Sequence, residues 1–422
     1  MTRVHGSPQP ACRPILAVIL FAAAASFPAE AAVKRMFLTS VSGTSKLSTW
    51  AEAQAQGGVA AGDAICRTLA QNAALPNFAT YRAWLSTDTD DAYCRIAGFA
   101  GKRSANCGQA SLPAAGPWQF VNGTPFARSL AELTGDLALL HPAIVTQTGV
   151  EFWGASLVHT GTSSDGSAFA GGNCGGWGAL TGEGRMGILH DSGSWWTSSG
   201  NYGCGGFFGR LYCFEPGAGD PLPEFERPGA LAFATSVLGK GKLGDWPDAG
   251  SATGLAAGDA ICRSRAAAAG LPKPQSFVAW LSTSAVDAID RVTSNGPFKR
   301  VDGVQLSATK SGLVDPGLGQ YALETTLGVD EFGDYVSQYA WTGSNTLGER
   351  APETCADWES DLAGDSGQRG ITQEIRGFWT TSNPAVACTA TNQRLYCFSN
   401  VITIFWDGFE SGNRARWSAS VP

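Results

Sequence analysis

The eight residues at positions 60–67, AAGDAICR, occur again unchanged at positions 256–263, and this repetition sets the organisation of the whole chain. Outward from it, Phe37, Trp50, Trp84 and Arg95 recur as Phe233, Trp246, Trp280 and Arg291, each 196 positions later. Gly116, Pro117 and Trp118 are matched by Gly296, Pro297 and Phe298 at a spacing of only 180, so the first copy carries 16 extra residues between the blocks. Cys174 and Trp177 return as Cys355 and Trp358, WTSS from Trp196 as WTTS from Trp379, and RLYCF from Arg210 as RLYCF from Arg394. A colinear series of this length is one folding unit written twice.

The copies are expected over residues 32–215 and 231–400, with a linker over 216–230 and a tail over 401–422. The Pro, Gly and acidic residues of the linker favour an extended connection, long enough for the two units to reorient. Each copy opens with a predicted strand, residues 36–41 or 232–237. Then comes a helix that Asp63 is placed to cap, with Cys66, Leu69, Ala70 and Ala73 on one face. Residues 81–85 and 210–214 read as further strands, and the second half is rich in Gly, Ser, Thr and Trp. The fold class is α+β, with one helical and one loop-rich half.

Residues 1–31 have the layout of a secretory signal peptide: Arg3 and Arg13, an apolar run, then Ala29-Glu30-Ala31 as a small-x-small cleavage site. No apolar run reaches the roughly 20 residues a membrane span needs. Removing this segment, which contains Cys12, leaves ten cysteines, and an even number in an exported chain reads as a disulfide framework. The formal charge of -7 disfavours nucleic acid and other polyanions as partners.

Four cysteines recur in both copies, and their connectivity is open to three arrangements within each. Cys94 and Cys107 occur in the first copy alone, which predicts a local bridge between them. The series AGDAICR, YRAWLS, Thr-Gly-Thr/Ser, Cys-x-x-Trp and RLYCF resembles the bacterial domain of unknown function 1554, a family similar to the endostatin domain of collagens. The resemblance covers residues 36–215 and 232–399 and implies two tandem C-type-lectin-like domains. It also implies nested bridges, Cys66–Cys213 and Cys174–Cys204 in the first copy, Cys262–Cys397 and Cys355–Cys388 in the second.

No catalytic residue, metal ligand or cofactor is assigned. His141, His159 and His190 all lie in the first copy, so no histidine chemistry is common to both, and His159, in the place of Trp341, reads as a packing residue. Enzymes of the formylglycine-generating kind on this fold use reactive cysteines, which a fully paired set would not supply. The calcium and sugar motifs of C-type lectins are missing. Asp88, Asp90 and Asp91 read as a solvated acidic loop rather than a calcium site, because Ser284, Val286 and Asp287 stand at the matching places. Trp177, Trp195 and Trp358 remain as candidate ligand contacts, since indole faces stack on sugars and anchor protein interfaces.

The expected function is non-enzymatic binding or adhesion, outside a bacterial cell or on its surface, to a glycan or protein ligand. The tail provides either surface attachment or an edge strand. An extracellular hydrolase using loop carboxylates and a structural envelope protein are the alternatives.

Overall fold

The computed structural model describes residues 1–2, 33–135, 139–154, 157–223, 225, 228–315 and 322–404. The segment read as a signal peptide, beyond its first two residues, and the tail from residue 405 onward lie outside the described residues. The architecture is mixed α+β.

The first copy contributes β1 (Lys34–Leu38), β2 (Arg82–Ala83), β3 (Trp118–Phe120), β4 (Pro125–Ala127), β5 (Leu157–His159), β6 (Glu183–Ile188), β7 (Gly200–Gly203) and β8 (Tyr212–Phe214). The second contributes β9 (Gly229–Ala234), β10 (Phe277–Ala279), β11 (Phe298–Arg300), β12 (Gln305–Ser307), β13 (Tyr339–Trp341), β14 (Ser366–Ile371), β15 (Ser382–Ala387) and β16 (Gln393–Thr403). The first sheet has the order β2-β8-β1-β3-β4, and the second repeats it as β10-β16-β9-β11-β12. In both, the opening strand runs parallel to one neighbour and antiparallel to the closing strand. The β5-β6-β7 sheet corresponds to β13-β14-β15, which joins the main sheet because β16 is long enough to pair with β13 as well.

The long helices Gly58–Asn72 and Gly254–Ala268 begin five residues before the aspartates expected to cap them. Asp63 therefore sits inside its helix and has a different task. Its Oδ1 accepts the Ala83 N–H at 3.0 Å and the Arg95 guanidinium at 2.5 Å, tying helix to strand. Asp259, Ala279 and Arg291 repeat the arrangement at 2.9 and 2.5 Å. An anionic side chain that fixes a strand and an arginine at once accounts for the aspartate of AAGDAICR standing in both copies.

Five disulfides stand among the described residues: Cys66–Cys213, Cys174–Cys204, Cys262–Cys397, Cys355–Cys388 and the local Cys94–Cys107. Of the three arrangements open to the shared cysteines, each copy holds the nested one.

The expectation that the copies reorient about their linker is overturned. Leu139 and Leu189 of the first copy belong to the same buried apolar cluster as Leu323 and Ile375 of the second. Polar contacts reinforce this seam. Thr325 Oγ1 donates to Leu140 O at 2.6 Å, the Ser192 and Thr326 hydroxyls are hydrogen-bonded, and Asp191 bridges Glu374 in antiparallel fashion. Asp302, gripped within the second copy by the fully buried Arg300 at 3.0 and 2.6 Å, stands 3.9 Å from the Arg128 guanidinium of the first. The linker itself is tied down, because Gly116 exchanges hydrogen bonds with Gly217 and Gly219, and its expected last residues, Gly229 and Ala230, belong to β9. The second unit also runs past its expected end at residue 400: β16 continues to Thr403, which pairs with Gly229, so the first residues assigned to the tail are strand.

Cys174 to Trp177 have φ of 49, 61, 67 and 69°, and Cys355 to Trp358 have 49, 51, 57 and 72°, so each Cys-x-x-Trp motif is one left-handed turn. Left-handed backbone costs an L-residue roughly 1–2 kcal/mol. The first copy relieves two positions with Gly175 and Gly176, whereas the second carries Ala356 and Asp357. Replacing Gly175 by Ala is expected to destabilise the protein by about 1 kcal/mol, and its new Cβ would meet the Ala179 Cβ at 3.3 Å. A urea midpoint equal to that of the wild type would refute the strain assigned to this turn.

Candidate functional site

The loop-rich half of each copy is built around the left-handed turn, whose geometry drives its tryptophan inward. Trp177 and Trp358 are fully buried, and their indole N–H groups donate to Ser86 O and Ser282 O at 2.9 Å each. Gly161 and Gly343 lie so close to these rings that a Cβ would approach within 2.6 and 2.7 Å, which accounts for the glycine of Thr-Gly-Thr/Ser. The assignment of Trp177 and Trp358 as ligand contacts is therefore corrected. No part of either ring faces solvent, and both act as core pillars.

Trp195 is placed differently. It lies in the short 3-10 turn Ser194–Trp196, and its neighbour Trp196 points into the core, where its indole donates to Leu133 O at 3.0 Å. Adjacent residues of such a turn diverge, so Trp195 projects outward and is 48% exposed. Phe378 repeats this beside Trp379 in the turn Gly377–Trp379, with the Trp379 indole on Leu313 O at 3.0 Å and the Phe378 ring 45% exposed. Each copy thus presents one aromatic ring at the same position, on a turn fixed by a buried neighbour. The Arg376 guanidinium stands 5.1 Å from the Phe378 ring centroid. Trp153, 48% exposed on a first-copy loop, was not singled out in the sequence, because its counterpart by alignment is Ser337 and no repeat marks it.

Asp88 is exposed, as expected of a solvated acidic loop, whereas Asp90 is half-buried and Asp91 is buried. Asp88 accepts from Asn173 Nδ2 at 2.6 Å, and Asp90 from the Gly101 N–H at 2.6 Å. Asp91 is buried and takes the N–H groups of Arg103 and Ala168 at 2.7 and 2.8 Å, with Lys102 Nζ at 3.2 Å. These oxygens fasten the first-copy insertion rather than await an ion. Hydrogen bonds to the Gly101 N–H and the Thr89 hydroxyl outweigh burial and hold the Asp90 carboxyl below its ordinary value.

His159 takes the place of Trp341 in physical detail. Its Nε2 meets Gly43 O at 3.0 Å, where the Trp341 indole meets the corresponding Gly239 O at 3.1 Å. A carbonyl accepts only, so Nε2 carries the proton and Nδ1 accepts from the Tyr202 hydroxyl. Among the described residues, no three His, Cys, Asp or Glu side chains are grouped to hold a metal ion, and no helix is long and apolar enough to cross a membrane.

Comparison of the chain with protein-family models and with curated proteins gave no match.

Burial pushes His141, His159 and His190 down to about 4 each, against 6.5 in solvent. A base held neutral in the fold gives stability that is complete above its unfolded value and lost as pH falls toward its folded one. Stability is thus expected to decline below pH 6.5 by about 3 kcal/mol at pH 4 for each of His141 and His159. Urea titrations across this range check it, and a midpoint constant from pH 7 to 4.5 would contradict it.

Proposed function

We propose that this chain is an exported, non-enzymatic binding protein that recognises an extracellular glycan or protein through two endostatin-like, C-type-lectin-like units. The observation that carries the reading is the pair Trp195 and Phe378, equivalent in the two copies and exposed on rigid turns. Exposed, pre-ordered aromatic rings lose little conformational entropy on contact and offer a face to a sugar or an apolar side chain. The five disulfides support residence in an oxidising compartment.

Two rings held at a set separation by a shared core favour a ligand that repeats, because the second contact becomes intramolecular once the first has formed. That argument gains from the seam, since a flexible linker would dilute the effect.

The test is binding of the full, oxidised chain to glycan and extracellular-protein arrays, followed by Trp195→Ala, Phe378→Ala and the double variant on whatever is retained. Each single change is expected to weaken binding about tenfold, or about 1.4 kcal/mol, with the melting temperature unchanged. Trp177→Ala, in contrast, should unfold the domain. Silence on every array, or undiminished binding by the double variant, would remove this reading.

A further inference from the structure

Asp191 and Glu374 hold the same position in the two copies, each five residues before the buried Trp196 or Trp379, and they face each other across the seam as a bridged antiparallel pair. Their surroundings differ in one respect. Arg376 grips Glu374 through Nε at 3.1 Å and Nη2 at 2.7 Å, which compensates its charge. The matching position in the first copy is Gly193. A Cβ there would lie 2.0 Å from the Tyr335 hydroxyl and 2.8 Å from Gln373 Nε2, so the ends of these two side chains occupy the space an arginine would enter.

Asp191 is therefore a buried acid without its partner. It accepts the Gly193 N–H at 2.7 Å and is also hydrogen-bonded by the Trp195 and Trp196 backbone N–H groups, and no lysine or arginine among the described residues forms an ion pair with it. The ionisable groups that face it are Glu374 across the seam and Tyr212 of β8. His190 adjoins it in the chain and itself feels Glu374 and Arg376. Burial, with the Glu374 charge adding to it against the Gly193 N–H, pushes the Asp191 carboxyl up to about 8. All five disulfides lie within one copy or the other, so none of them crosses the seam.

We infer that the seam between the copies is a proton-sensitive closure, held shut while Asp191 keeps its proton beside Glu374 and loosened when that proton is lost. The inference is independent of the ligand reading. An acid that binds its proton more tightly when closed favours opening increasingly as pH rises from its free value of 3.8 to about 8, and no further above that. His190, held down to about 4 against 6.5, acts in the opposite sense up to pH 6.5. The two offset each other over the shared range, so loosening is concentrated between pH 6.5 and about 8.

Hydrogen exchange of the full, oxidised chain, corrected for the intrinsic rate at each pH, tests this on peptides spanning residues 187–197 and 370–380. Protection there is expected to fall about tenfold between pH 6.5 and 8.5, while the helix Gly58–Asn72 keeps its own. Asp191→Asn retains an acceptor for the Gly193 N–H without the charge, and its profile should stay flat. Should that variant not fold, Glu374→Gln serves instead, with a loss smaller than that of the wild type because the neighbouring charge is gone. Unchanged protection in the wild type, or a loss of equal size in either variant, overturns the inference.

Discussion

In each copy a sulfur bridge joins the long helix to an interior strand of the main sheet, and the remaining elements hang from that joint. Cys213 sits on β8, which lies between β1 and β2, and its partner Cys66 is on the helix Gly58–Asn72. Cys397 and Cys262 repeat the joint, closing loops of 147 and 135 residues in the first and second copies. Closure of loops this long lowers the entropy of the unfolded chain by the equivalent of roughly 5 kcal/mol in the chain-entropy account. For a domain half of whose strands are three residues long, that contribution is comparable to its whole net stability.

The inner bridges do a second job. Cys174 and Cys355 each open a left-handed turn that an ordinary loop would not adopt, and the covalent tie to Cys204 or Cys388 holds it there. Once the turn is fixed, the tryptophan three residues on has only the interior to enter. Cysteine spacing, backbone handedness and core packing are thus a single constraint seen at three levels.

Much of the fold was legible because the chain states it twice. Repetition revealed the unit, the helix with Cys66, the strand at RLYCF and the packing role of His159. Other features were not legible, for identifiable reasons. Asp63 looks like a helix cap in one dimension, but the Gly57-Gly58 pair starts the helix earlier and releases the carboxylate for Ala83 and Arg95. Trp177 and Trp358 were read as candidate ligand contacts because loop aromatics at the surface and in the core share one composition, and only the sign of φ separates them. The seam escaped notice because its apolar residues, Leu139, Leu189, Leu323 and Ile375, read in sequence as ordinary core. Of the candidate site, Trp195 alone reads in sequence as a ligand contact; Phe378 aligns with it, but nothing in the sequence marks that phenylalanine as exposed.

The continuation of β16 to Thr403 has a mechanical meaning. Load applied through the chain beyond residue 404 would first peel Ile402 and Thr403 from Ala230 and Gly229, one rung at a time. Peeling would then halt at Cys397, whose covalent tie to the helix transfers the force to the body of the second unit. A short sacrificial zipper ahead of a hard stop is a suitable termination for a domain that is pulled from its C-terminal end.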